Sequence, residues 1–244
     1  MCGRVVLLAP REEVARIFAV PVSEPFPPRY NIAPAQPLAI VRADEGMPRR
    51  LDLVRWGLVP GWVKDPSSFS LLINARAETA AEKPAFRGAM RHRRCLVPAS
   101  GFYEWRKGPG GKKLPYYIRP RDGRLIAFAG LAEEWIDADG GIHDSGAILT
   151  TAANATLAPL HDRMPVIVPP EAFERWLDVR RYGVRDVVDL LAPAPDDLLE
   201  AYPVGTRVNT ARDDDPGLIA PLNADHEPPA EEAPPPPPRQ LGLF

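Results

Sequence analysis

The chain has 244 residues, 45% apolar and 25% charged, an ordinary globular composition that supports one substantial core. No run approaches the length of a membrane span, and the N-terminus lacks the basic-then-apolar pattern of a signal peptide, so a cytoplasmic protein is expected. The formal charge of −2 hides a split: residues 1–106 hold 16 Lys/Arg against 10 Asp/Glu, residues 107–222 hold 13 against 18, and residues 223–244 hold 1 against 4, so a basic N-terminal half suits local phosphate binding with little general affinity for duplex DNA.

In chain order, short apolar or alternating segments bounded by Gly, Pro or Asp predict strands at Val5–Leu8, Leu38–Val41, Leu51–Val59, Cys95–Val97, Tyr116–Ile118, Leu125–Leu131, Ala147–Thr151 and Val166–Val168. Helical periodicity marks Pro10–Val20, Ala80–Arg91, Pro170–Leu177 and Val184–Leu191. Strands outnumber helices and do not alternate with them. The expected fold is therefore α+β, a single domain over residues 1–222 built on a curved, mostly antiparallel, barrel-like sheet with flanking helices. Residues 223–239 are acidic and proline-rich, with no apolar residue larger than alanine, and predict a disordered linker.

Cys2 directly follows the initiator methionine. Removing one residue leaves an α-amine and a thiol two carbons apart, a pair that condenses with an aldehyde to an imine and then closes to a five-membered thiazolidine. An internal cysteine cannot make that product. Read alone, a cysteine at position 2 is more often a small buried residue. Cys95, in the apolar run Cys95-Leu96-Val97, reads as a core thiol, and a reducing compartment argues against its pairing with Cys2.

The blocks Tyr30-Asn31-Ile32-Ala33-Pro34, Trp56-Gly57-Leu58-Val59-Pro60-Gly61-Trp62, Asn74-Ala75-Arg76-Ala77-Glu78-Thr79, Arg94-Cys95-Leu96-Val97-Pro98-Ala99, Gly101-Phe102-Tyr103-Glu104-Trp105 and His161-Asp162-Arg163-Met164-Pro165 follow Cys2 in that order. Together they resemble the SOS-response-associated peptidase family, whose members shield abasic sites in single-stranded DNA by covalent crosslinking. The resemblance runs from Cys2 to about Leu222. It implies Cys2, Asn74, Glu104 and His161 as catalytic residues, with Glu104 opening the sugar ring and moving protons and His161 serving the imine and ring-closure steps. It also implies Arg76 and Arg163 as phosphate ligands, a task that suits the bidentate guanidinium. On their own residues, Glu104 fits a surface position on an alternating strand, His161 a loop or core histidine, and Asn74 a turn cap.

Arg4 can extend the DNA path or form a salt bridge. Trp105, Trp56 and Trp62 can stack on unpaired bases, with Trp105 the favoured one. No His or Cys pair stands at ligand spacing, and neither a nucleophile elbow nor a phosphate loop is present, so no metal and no cofactor are expected.

The expected function is covalent shielding of abasic sites through a Cys2 thiazolidine, with self-removal of Met1 as the thiol-peptidase activity and lyase-type chemistry open to the imine. The alternative is an N-terminal-nucleophile cysteine peptidase or amidohydrolase acting on other substrates; a third class is a non-catalytic strand-binding or adaptor module. The expected partner is single-stranded DNA containing abasic sites, bound by a monomer near the nucleoid. The final Gln240-Leu241-Gly242-Leu243-Phe244 resembles the short peptide by which bacterial repair proteins dock on the replicative sliding clamp, with Gln240, Leu241, Leu243 and Phe244 as anchors.

Overall fold

The computed structural model describes residues 2–21, 26–43 and 48–222; the linker and the clamp-like peptide of the sequence reading lie outside them. In chain order the elements are β1 (Val5–Leu7), α1 (Arg11–Phe18), β2 (Arg29–Ile32), β3 (Pro37–Arg42), β4 (Arg50–Trp56), β5 (Asn74–Arg76), α2 (Ala77–Ala80), α3 (Arg87–His92), β6 (Arg94–Ala99), β7 (Gly101–Lys107), β8 (Lys113–Pro120), β9 (Ile126–Ile136), β10 (Ile142–Ala152), β11 (Arg163–Pro165), β12 (Ile167–Val168), α4 (Phe173–Leu177) and β13 (Leu199–Pro203).

Five strands close into a barrel. β10, β4, β3, β6 and β9 pair in that order, and β9 returns to β10 from Ile142↔Ile136 to Ile148↔Gly130. Closure removes the free edges that an open sheet of this size would expose. Described pairings are antiparallel except where β10 runs parallel to β4 and to β5. A second sheet runs β13-β8-β7-β1-β2. It meets the barrel through Phe102 of β7, which stands edge to face on Phe128 of β9 at 5.6 Å. The curved sheet and flanking helices expected from sequence are thus present, with the curvature carried to closure.

Local chemistry explains where the expected helices change. α1 carries Glu12 and Glu13 in its first turn and Arg16 in its last, matching the helix dipole, and buries Val14, Ala15 and Phe18. Phe18 stacks on Phe173 of α4 with centroids 5.0 Å apart. The helix expected over Ala80–Arg91 is broken: α2 stops at Ala80 and α3 starts at Arg87. Pro84 lies between them and would remove a helical N–H and clash with the preceding turn. Val184–Leu191 is a 3-10 helix rather than an α-helix, and Pro170–Leu177 is a 3-10 turn followed by α4.

β2, β5, β7, β11 and β13 were not anticipated as strands. β7 is the informative case, because its first four residues are all buried and show no alternation. Gly101 opens it where a Cβ would come within 2.5 Å of the Ile118 carbonyl and 2.6 Å of the Tyr117 hydroxyl, so only glycine lets β7 lie this close to β8.

Candidate active site

The chain's second residue is held, not frayed. Cys2 is fully buried, and its carbonyl accepts a 2.8 Å hydrogen bond from Asn74 Nδ2. Asn74 opens β5, whose parallel pairing with β10 places Asn74 opposite Ile148, Ala75 opposite Leu149 and Arg76 opposite Thr150. The other amide atom, Asn74 Oδ1, is buried and has no hydrogen-bond partner among the described residues. A buried acceptor left this way is destabilising unless a donor arrives.

Glu104 comes from β7, adjacent to β1 in the register Val5↔Phe102 and Val6↔Gly101; the Tyr103 amide also donates to the Arg4 carbonyl at 3.1 Å. Extending that register toward the N-terminus brings the β7 residues after Tyr103 alongside Gly3 and Cys2. Glu104 is only 4% exposed, not the surface glutamate of an alternating strand. Burial pushes the Cys2 thiol well above its usual range, and the charge of Glu104 pushes it further in the same direction. Cys2 thus enters any reaction as a neutral thiol whose proton needs an acceptor.

Arg4 forms no salt bridge among the described residues; its guanidinium is held by hydrogen bonds instead. Its Nη1 donates to Asn31 Oδ1 at 2.6 Å and to the Val208 carbonyl at 2.5 Å, and its Nη2 donates to the Asn209 carbonyl at 3.0 Å. The guanidinium lies over the Trp105 ring, 6.0 Å from its centroid, and Trp105 Nε1 donates to Asn209 Oδ1 at 2.8 Å. Asn31, fully buried, also donates to the carbonyls of Thr210 and Asp213 at 3.1 and 2.8 Å. Arg4 therefore joins the N-terminal strand to the segment 206–213.

His161 and Arg163 lie at the entry of β11, which pairs with β10 through Ala152↔Arg163 and Thr150↔Pro165. Thr150 thus has Arg76 on one side and β11 on the other. His161 Nδ1 lies 2.9 Å from the Arg163 amide nitrogen and 2.8 Å from Asp162 Oδ1. One nitrogen cannot serve both: a neutral ring accepts from the amide and carries its proton on Nε2, whereas a protonated ring donates toward Asp162. The imidazole has a partner in either state.

The two arginines differ. Arg76 is exposed and makes no hydrogen bond or ion pair among the described residues. Arg163 is gripped by Glu78, with Nη1 on Oε1 at 2.6 Å and Nη2 on Oε2 at 2.9 Å, and it also donates to the Thr150 carbonyl at 2.5 Å.

Of the tryptophans, Trp56 is fully buried and donates to the Ile73 carbonyl at 3.0 Å, so it is a core residue and unavailable to a base. Trp62 is 60% exposed and lines a groove with Arg87, Arg91 and His92. Sequence reasoning also passed over Asn31, Glu78 and Asn209, whose partners are far away in the chain. Cys95 is buried, free and pushed up to about 12 by desolvation, as a core thiol would be.

Among the described residues no three His, Cys, Asp or Glu side chains cluster as metal ligands, and no helix is long and apolar enough to cross a membrane. The model of the family described as SOS response associated peptidase matches residues 1–211. The chain is similar to the abasic site processing protein YoqW of Bacillus subtilis, 37% identical over 222 residues and covering 90% of this chain and 99% of that one. It is also similar to the abasic site processing protein YedK of Escherichia coli, 33% identical and covering 91% and 100%. A crystal structure of a protein from Bacteroides thetaiotaomicron superposes with a TM-score of 0.80 at 26% identity, covering 91% of this chain and all of that one.

Proposed function

The chain belongs to the SOS response associated peptidase family, and from that premise we propose that it shields abasic sites in single-stranded DNA through a covalent thiazolidine on Cys2. Abasic sites are the substrate class that the relatives' names carry. The observation that supports this reading most directly is the seating of residue 2: a buried thiol, a carbonyl held by Asn74, and a buried Asn74 Oδ1 that lacks a donor. A free α-amine on Cys2 supplies such a donor.

Hydrolysis of the Met1–Cys2 amide consumes one water and frees that amine. The abasic deoxyribose opens from hemiacetal to aldehyde, with Glu104 relaying the proton. The amine nitrogen adds to C1′, and the resulting hydroxyl leaves as water to give the imine. The Cys2 sulfur then adds to the imine carbon while its proton passes through His161 to the nitrogen. Amine, thiol and aldehyde thus become a thiazolidine and one water. Arg76 and Arg163 bind the flanking phosphates, Trp105 and Arg4 form the wall beside Cys2, and the catalytic domain, residues 1–222, acts as a monomer at the nucleoid.

Intact mass after incubation with an abasic oligonucleotide, against an undamaged one, tests the proposal. An adduct is expected only with the former, at the sum of the two masses less water, and only on protein lacking Met1. Full crosslinking by a variant with an unremovable residue before Cys2 would sink it.

Residues 240–244, outside the described residues, dock on the replicative sliding clamp in this reading. Full-length protein should bind purified clamp saturably, and Leu243→Ala with Phe244→Ala should abolish binding; unchanged binding by that variant refutes the docking.

A further inference from the structure

Glu78 has no role in the chemistry above, yet it holds the arginine that chemistry needs for phosphate. Both of its oxygens face the Arg163 guanidinium, at 2.6 and 2.9 Å. That paired arrangement is the one a phosphate would adopt on the same fork. The Glu78 side chain is half exposed, whereas that of Arg163 is largely covered, at 50% and 14%. The carboxylate is therefore the outer member of the pair. Hydrogen bonds from Arg163 hold the Glu78 carboxyl below its usual range, and the charge of nearby Arg76 adds to that, so it is an anion at neutral pH. Arg76 itself is exposed. Glu78 stands between the two cations as a resident anion.

An intact strand offers phosphates but no aldehyde. To use Arg163, its phosphate must displace Glu78 or accept repulsion from it, while Arg163 keeps its bond to the Thr150 carbonyl either way. Resting on the abasic-site reading, we propose that Glu78 is a specificity-determining residue, a carboxylate that occupies the Arg163 fork and suppresses binding of undamaged single strands. Retention on DNA then depends on the covalent bond, which only a damaged site can form.

The test uses full-length protein and a fluorescent undamaged oligonucleotide, titrated across a series of salt concentrations. Glu78→Gln keeps the shape and removes the charge. It should tighten undamaged-strand binding about tenfold at low salt and steepen the salt dependence by about 0.7 in log–log slope, the value for one further phosphate on a single strand. The gain should vanish in Glu78→Gln combined with Arg163→Ala. Glu78→Asp, whose shorter arm loosens the grip while keeping the charge, should give a smaller gain of about threefold, and it serves if the glutamine variant does not fold. Affinity and slope equal to wild type in both single variants would overturn the proposal, as would a gain that persists without Arg163. Because the measurement needs no adduct, it fails separately from the abasic-site reading: wild-type protein that forms no adduct sinks that reading alone.

Discussion

Asn74→Asp asks how much of the site depends on one amide. The substitution keeps the size of the side chain and replaces the Nδ2 donor by an acceptor, so the Cys2 carbonyl loses its 2.8 Å hydrogen bond and faces a negative oxygen. Removing one partner of a buried hydrogen bond costs about 1–3 kcal/mol. If that loss falls wholly on the seating of residue 2, crosslinking slows roughly 5- to 150-fold, at about 1.4 kcal/mol per factor of ten. The charge has a second effect with a definite sign. A carboxylate beside the Cys2 α-amine favours the ammonium form and raises its pKa, so the pH–rate profile moves to higher pH. Asn74→Ala removes the donor without adding charge and should slow the reaction with no such displacement. Single-turnover crosslinking of an abasic oligonucleotide across about pH 6–9 measures both, with thermal melts to confirm folding. Rates within a factor of two of wild type in both folded variants would refute the role of Asn74 in seating Cys2.

Three further outcomes are expected. Glu104→Gln should slow single-turnover crosslinking by about 10²-fold or more, the usual consequence of losing a general acid or base; a rate within twofold of wild type removes Glu104 from the mechanism. The same substitution should move the pH midpoint of Cys2 alkylation by iodoacetamide, read by peptide mass, to lower pH, because the Glu104 charge is the second cause after burial of the raised thiol pKa; a midpoint that stays put or rises contradicts this. Arg94→Met should lower the melting temperature by roughly 5–12 °C, from a net loss of about 2–4 kcal/mol. Arg94 is buried and donates to the carbonyls of Trp176 and Tyr182 at 2.7 and 2.6 Å, and an unchanged melt would show that those carbonyls find other donors.

What could be read from the sequence was what depends on neighbours in the chain. The strands that close the barrel announced themselves by short apolar runs between turn residues, as at Leu38–Val41 and Leu125–Leu131. β7 gave no such signal, because a strand buried on both faces does not alternate. β5 has three residues, too few for any period. Pro84 stands inside the segment whose periodicity predicts one helix, and it is the residue that breaks it.

Partners of the arginines were the least legible. Arg163 and Glu78 are 85 positions apart, and Arg4 and Val208 are 204 apart. No local pattern encodes such pairs. An exposed guanidinium and one that will hold a carbonyl look alike in sequence, and only the closed fold distinguishes exposed Arg76 from engaged Arg4.

The anchoring of Arg4 to Val208 and Asn209 has a temporal consequence. Translation proceeds from the N-terminus, so the fourth residue made waits for residues some two hundred positions later to complete its hydrogen bonds. A nascent chain that has not yet made Val208 and Asn209 leaves Arg4 without those partners. The N-terminal strand completes its hydrogen bonding only once the segment 206–213 has folded back onto it.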